Sequence, residues 1–158
     1  MAAAPSIGPV RSAEDLAATA DLFRAYEASI ETDLCFQGFA EELATLPGKY
    51  APPKGALLLA RNGGGRPVGC VALRPAEGDA CEMKRLYVAP EGRGLGLGRA
   101  LAEAVIAEAR RIGYRRMQLD TLPAMAPAQA LYRELGFEPA PAYYETPISG
   151  TIFMSLAL

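Results

Sequence analysis

Leu86-Tyr87-Val88-Ala89-Pro90-Glu91-Gly92-Arg93-Gly94-Leu95-Gly96-Leu97-Gly98-Arg99 is the stretch on which the fold turns. An apolar run from Cys81 to Val88 reads as a strand and ends at Pro90-Glu91-Gly92. Glycines at 92, 94, 96 and 98 follow, and a helix over Leu95 to Ile112 places Leu97, Leu101, Ala104, Val105, Ala109 and Ile112 on or near one face before Gly113 stops it. A strand, a glycine-rich loop and a helix in that order aim unpaired backbone N–H groups and the positive helix end at an anion. The ligand expected there carries phosphate. Positions 97 and 99 are Leu and Arg, so the spacing is not the GxGxxG of dinucleotide folds, and the GxxxxGK[ST] pattern of nucleoside triphosphate sites does not fit either.

Upstream, Leu57-Leu58-Leu59-Ala60 reads as a buried strand, Asn62-Gly63-Gly64-Gly65 as a turn and Val68 to Leu73 as the returning strand of an antiparallel hairpin. Ala76-Glu77-Gly78-Asp79 then turns into the Cys81–Val88 strand. Nearer the start, a short strand near Ile7 to Val10 leads to Ser12 and Asp15, a capping-box-like opening for a helix over Ala13 to Ile30. Phe39 to Leu46 reads as a shorter helix closed by Pro47-Gly48, and Tyr50-Ala51-Pro52-Pro53 as an extended connection. Downstream, Arg116 to Leu122 alternates as a strand through Met117, Leu119 and Thr121, and Pro127 to Leu135 is a short helix stopped by Gly136. Phe137 to Tyr144 and Thr151 to Leu156 read as two terminal strands. The order is that of an α/β fold around a mixed sheet with helices on both faces.

The 158 residues predict one domain, 1–158, large enough to bury a core. With 51% apolar and 22% charged residues and a net charge of −2, the chain has the balance of an ordinary globular protein. That charge leaves no basic excess for general nucleic-acid binding, and no apolar run approaches the ~20 residues of a membrane span. Residues Met1 to Val10 lack the basic start and apolar stretch of a signal peptide. Cys35, Cys70 and Cys81 are odd in number and without CxxC spacing, so neither a disulfide framework nor a metal site is expected, and the cytoplasm is the expected location. The chain has no histidine, which excludes Ser-His-Asp and Cys-His hydrolases and His-ligated metals. Proton transfer must then use a carboxylate, Tyr, Lys, Cys or water.

Arg93-Gly94-Leu95-Gly96-Leu97-Gly98 directly after Leu86-Tyr87-Val88-Ala89-Pro90 resembles the acetyl-coenzyme A-binding motif of the GNAT superfamily of N-acetyltransferases. Ala130-Leu131-Tyr132-Arg133-Glu134-Leu135-Gly136-Phe137 looks like the same family's second marker. Together the two markers and the strand between them span Val68 to Pro139, about half of the chain. The flanks, Asp33 to Phe39 and Tyr143-Tyr144, are similar to a bacterial subset. The resemblance implies a central, twisted, mostly antiparallel mixed sheet of about six to seven strands, acetyl-CoA as acyl donor and no metal. It implies cofactor contacts from Leu86, Tyr87, Val88, Arg93, Gly94, Leu95, Gly96, Leu97, Gly98 and Arg99, with the pyrophosphate on the loop amides. Met125 departs from the pattern, standing where many members carry an Asn that contacts the cofactor.

For the chemistry, Glu82 matches the position of the base in the histone-acetylating members. Strand alternation also places it on one face with Lys84, Leu86 and Val88, where a plain Glu82–Lys84 ion pair and anchoring of the substrate amine are the competing readings. Tyr132, by family position, protonates the departing thiolate; a core-packing tyrosine is the alternative. Arg24, Tyr26, Asp33 and Gln37 fall in a segment that resembles the acceptor-facing one, and Tyr50, Tyr143 and Tyr144 are candidates for the opposite wall. Cys81 reads as a small apolar core residue rather than a nucleophile. The expected partner is a small-molecule or peptide amine, with a homodimer as an allowed assembly and neither nucleic acid nor membrane. Two rival functions remain: a noncatalytic acyl-CoA-sensing module, which the presence of both Glu82 and Tyr132 disfavours, and a nucleotide-binding enzyme using Asp120 as a ribose-binding acid, which the glycine spacing disfavours.

Overall fold

The computed structural model describes residues 3–30, 34 and 38–158. Seven strands, β1 (Ser6–Pro9), β2 (Ala56–Arg61), β3 (Pro67–Pro75), β4 (Ala80–Val88), β5 (Arg116–Thr121), β6 (Glu138–Pro139) and β7 (Ile152–Ala157), form one sheet in the order β1-β2-β3-β4-β5-β7-β6. Every neighbouring pair is antiparallel except β4 and β5, which run parallel. On one face α3 (Leu97–Ile112) and α4 (Ala126–Glu134) cover a core that includes Leu73, Met83, Leu101, Val105, Met117 and Tyr132. On the other, α1 (Ala13–Ile30) and α2 (Phe39–Ala44) cover Leu57, Leu59, Cys70 and Ala72. Helices on both faces of a mixed sheet are what the order of elements predicts.

Local signals account for most boundaries. The Asp15 N–H donates to Ser12 Oγ at 3.0 Å while the Asp15 carboxylate accepts from the Arg11 N–H at 3.1 Å, so the start of α1 is capped in both directions. Gly113, at φ 108°, ends α3 as an αL cap and donates its N–H to the Ala109 carbonyl.

Four expectations are corrected. The helix read from Leu95 begins at Leu97, because Gly94 and Gly96 hold φ of 82° and 72° and helical geometry cannot pass through them. The helix read to Leu46 ends at Ala44, and Gly48–Tyr50 is a 3-10 turn rather than the start of an extended connection. The strand read over Phe137 to Tyr144 shrinks to Glu138–Pro139, after which Ala140 N–H still bonds the Phe153 carbonyl but Pro141 lifts the chain off the sheet.

The fourth correction concerns β4. Its register against β3 shifts between the Cys70↔Tyr87 and Ala72↔Lys84 pairs, and Arg85 sits in the bulge at φ 61°. The extra residue inverts the alternation. Cys81, Met83, Leu86 and Val88 face α3, whereas Tyr87 packs under α1 and Glu82 and Lys84 lie on that same side. Leu86 and Val88 therefore do not share a face with Glu82.

Candidate active site

β4 and β5 pair only over Ala80↔Arg116, Cys81↔Met117 and Glu82↔Gln118. Beyond Glu82 the two strands part, so the β5-facing edge of β4 toward Val88 has no ladder partner. A pocket occupies this split, with Tyr26 and Ile30 of α1 above it, Lys84 and Leu86 on one side, Asp120 and Thr121 on the other and Tyr132 of α4 below. The bulge at Arg85 helps to open it by bending β4. Arg85 is itself anchored: its guanidinium makes two hydrogen bonds of 3.0 and 3.1 Å to the Glu42 carboxylate and lies 5.2 Å from the centre of the Phe39 ring.

Past the end of β4, a 3-10 turn over Pro90–Gly92 leads into the glycine loop. The hydrogen-bond ladder of α3 starts with the Ala100 N–H donating to the Gly96 carbonyl, leaving the amides of Leu97, Gly98 and Arg99 without a helical acceptor. No side chain caps them and the first turn carries no acidic residue. A Cβ added at Gly94 or Gly96 would meet nothing within 4 Å, so the loop is an open cradle and not a crowded turn. This geometry fits a diphosphate. Arg93 is exposed beside it, its Nε 3.4 Å from the Val88 carbonyl. Arg99 is held instead by Glu103 and Glu134, at 2.9 and 3.0 Å. Leu95 projects into solvent, Leu97 is buried against the core, and Tyr87 stands edge-on to Tyr26 with ring centres 6.2 Å apart.

Tyr132 is buried, edge-on to Phe137, and its hydroxyl has no hydrogen-bond partner among the described residues although the ring lines the pocket. Burial pushes its phenol well above the usual tyrosine range, so the proton stays on oxygen throughout any ordinary assay.

Glu82 is 4% exposed and sits outside this pocket, behind Lys84. Its Oε1 accepts from Arg74 Nε at 2.8 Å and its Oε2 from the Tyr143 hydroxyl at 2.6 Å. Lys84 Nζ stands 3.7 Å from Glu82 and 3.8 Å from Asp120, which accepts a 2.7 Å hydrogen bond from the Tyr144 hydroxyl. Two carboxylates are thus joined through one buried ammonium. Burial lowers the pKa of Lys84, although Asp120 and Glu82 oppose it. Burial, then the Glu82 charge, drives the Tyr143 phenol far upward, so Tyr143 is a fixed donor.

Of the other expected acceptor-side residues, Tyr26 lines the pocket and burial pushes its phenol up to about 12. Tyr143 and Tyr144 pack edge-on against Phe153 and hydrogen-bond Glu82 and Asp120; they lie outside this pocket and line, with Arg74 and Glu82, a separate opening. Arg24 is exposed and paired with Asp21 at 3.2 Å. Tyr50 is buried edge-on to Phe23 within the core beneath α1 and α2. Asp33 and Gln37 lie outside the described residues.

The Arg74–Glu82 pair lies beyond the strand that the sequence predicts, which ends at Leu73, whereas β3 runs on to Pro75. The turn could have revealed it: Ala76 N–H bonds the Ala80 carbonyl, and counting outward from there puts Pro75 opposite Cys81 and Arg74 opposite Glu82. Cys70 and Cys81 are free and buried, and burial pushes the Cys81 thiol up to about 12, the opposite of an activated nucleophile. Among the described residues no group of three or more His, Cys, Asp or Glu side chains is placed to hold a metal, and no helix is long and apolar enough to cross a membrane.

Comparison with known proteins gives this geometry a family. The model of the acetyltransferase (GNAT) family matches residues 17–137. An uncharacterized N-acetyltransferase of Schizosaccharomyces pombe is 42% identical over 97% of this chain and 94% of its own length. An IAA acetyltransferase of Azospirillum brasilense is 38% identical over 68% of this chain and 71% of its own. Among solved structures, one assigned as an acyl-CoA N-acyltransferase, from Klebsiella pneumoniae, superposes with a TM-score of 0.74 at 30% identity, covering 98% of this chain and 96% of that one. A Staphylococcus aureus acetyltransferase reaches a TM-score of 0.81 over 98% of this chain and 99% of its own, and at 19% identity speaks for the fold alone. With the glycine loop, the split strands and Tyr132 all inside or at the edge of a match this long, the chain belongs to the acetyltransferase (GNAT) family.

Proposed function

We propose that the protein moves an acetyl group from acetyl-CoA to an amine by direct attack of the amine on the thioester. The observation that carries this is the alignment of an uncapped helix N-terminus with a strand split that leads to the Tyr132 hydroxyl. When bound, acetyl-CoA supplies the activated acyl group. The amides of the Gly94–Arg99 loop hold the pyrophosphate, with Arg93 beside them. Leu86, Tyr87 and Val88 offer an unpaired backbone edge to the donor's arm, and an N–H there polarises the thioester carbonyl. Tyr132, protonated at working pH, stabilises the thiolate as it leaves by hydrogen-bonding it, or protonates it and regains the proton from solvent. Holding donor and amine in one split makes the attack effectively unimolecular.

A free primary amine, with a pKa of ~10.4, is mostly ammonium at neutral pH and must lose a proton before or during attack. Glu82 is the base in this reading. Because Lys84 stands between it and the pocket, the proton reaches Glu82 through a bridging group or a water, not by contact. Asp120 lines the pocket itself, and that single fact favours a second reading in which Asp120 takes the proton. Tyr26, Tyr143 and Tyr144 form the acceptor side in both. Buried free cysteines suit a reducing compartment, and the cytoplasm is proposed as the location.

Thiol released from acetyl-CoA, followed across a panel of amines and over pH, tests the reading. Glu82→Gln is expected to leave acetyl-CoA affinity within about threefold, to slow turnover by about 10²-fold and to flatten the limb on which rate rises with pH. Flattening in Asp120→Asn alone assigns the base to Asp120. An unchanged profile in both leaves the carboxylates as ion-pair partners only. Acetyl-CoA binding without thiol release for any amine would mark a sensing module instead.

A further inference from the structure

The opening lined by Glu82, Tyr143 and Tyr144 has a volume of about 340 Å³ and lies across the Glu82–Lys84–Asp120 row from the pocket that holds Tyr26 and Tyr132. Lys49, from the 3-10 turn after α2, and Arg116, at the start of β5, also line it; both are exposed and neither makes an ion pair among the described residues. Arg74 is the third cation. Its Nε donates to Glu82 Oε1 at 2.8 Å, which leaves the two terminal nitrogens of the guanidinium without an acceptor among the described residues. Neither nitrogen is sealed from solvent, and the side chain is 27% exposed. A guanidinium with one edge fixed and its end open is a directed carboxylate receptor.

Three cations face two carboxylates here, Glu77 and Glu82, in a chain whose net charge is −2. Glu82 is already taken up by Arg74 and the Tyr143 hydroxyl. One positive charge in excess suits a carboxylate, with its single charge, better than a phosphate dianion. Arg74 sits opposite Glu82 on the neighbouring strand, and the pocket begins at Met83 and Lys84 and reaches Leu86. Two to four residues of strand separate the two places, about 7–13 Å.

We propose that this opening takes the anionic end of the acceptor, so that the amine substrate carries a carboxylate about 7–13 Å from the nitrogen that is acetylated. That span is two to four residues of extended peptide, too long for a free α-amino acid. The proposal rests on the acetyl-transfer reading above and names the acceptor class for it: a short peptide-like amine bearing a carboxylate, held by Arg74, Lys49 and Arg116 while the amine lies over the row and reaches the pocket.

The test follows thiol release from acetyl-CoA with alanine and with di-, tri- and tetra-alanine, each as the free acid and as the C-terminal amide, which differ by one charge. The best peptide acid is expected to show a KM about tenfold below that of its amide, with kcat within about twofold. Lys49→Glu combined with Arg116→Glu, both at exposed positions, is expected to remove or invert that preference. Equal KM for acid and amide in the parent overturns the proposal and leaves acetyl transfer standing. So does turnover confined to amines without a carboxylate, or a preference for alanine over every longer acid. A tenfold preference that survives in the double variant overturns it as well, by placing the anion elsewhere. Thiol release with no amine of any kind removes the transfer reading, and the proposal with it.

Discussion

Replacement of Gly96 by Asp is expected to abolish acetyl-CoA binding while the protein stays folded. Gly96 is exposed at φ 72°, and a Cβ there would touch nothing within 4 Å, so the fold accommodates the side chain. The strain of a non-glycine residue in this region is about 1–2 kcal/mol, and Asp is among the residues that bear it best. That corresponds to a fall of roughly 2–8 °C in melting temperature for a domain of this size. The carboxylate, however, stands at the one place where the helix dipole and three unpaired amides favour an anion. It takes those amides for itself and repels a diphosphate. At a separation of ~5 Å and an effective dielectric of ~20 the repulsion is about 3 kcal/mol, more than 100-fold in affinity. A thermal-shift panel checks this: acetyl-CoA raises the melting temperature of the parent and not of the variant, while NAD and ATP do little to either. Equal stabilisation of the parent by NAD would sink the acyl-donor reading.

Tyr132→Phe is expected to lower the single-turnover rate by about 10²-fold with acetyl-CoA affinity unchanged within a few-fold. The ring, packed on Phe137 in the core, is retained, so stability changes little. Only the hydroxyl goes, and it makes no bond in the free protein among the described residues. In the proposed reaction it serves the leaving thiolate, whose conjugate acid has a pKa near ~8.5 and which departs more readily when protonated or hydrogen-bonded. Steady-state kcat alone would mislead if product release limits it, so rapid-quench chemistry is the measure. Parent-like chemistry in the Phe variant would leave solvent as the proton donor and Tyr132 as a packing residue.

Much of this site was legible in the chain because its parts are local. Gly94 and Gly96 announce a backbone that only glycine adopts comfortably, and Leu97, Leu101 and Val105 announce the buried face of the helix behind them. Ser12 and Asp15 fix the start of α1 through bonds between residues a turn apart. What was not legible depends on register and on distant segments. Nothing in Lys84-Arg85-Leu86 signals a bulge, since Arg85 holds φ 61° without being a glycine and is kept there by Glu42, far away in the chain. That one bulge decides which side of the sheet Leu86 and Val88 face. The setting of Glu82 is also hidden from local pattern. Its partners come from β3, from β4 itself and from the loop after β6, and only the assembled sheet shows Arg74 and Tyr143 taking its two oxygens.

Assembly also explains how the polar network is satisfied. A buried carboxylate is costly alone, and removing one member of such a cluster leaves its partner uncompensated. Glu82, Lys84 and Asp120 alternate in charge along the gap between β4 and β5, with two tyrosine hydroxyls completing the carboxylates. The amine is thus expected to meet a preorganised wall whose charges need little rearrangement when a proton moves.

The most direct measurement of the central claim follows the acetyl group. Acetyl-CoA labelled in its acetyl carbons is mixed with the protein and the most active amine of the panel, and the label is located by mass spectrometry of both amine and protein. Direct transfer predicts one labelled amide per thiol released and no label on the protein at any time. Label appearing first on Cys81 or another side chain, or recovered only as acetate, would contradict it.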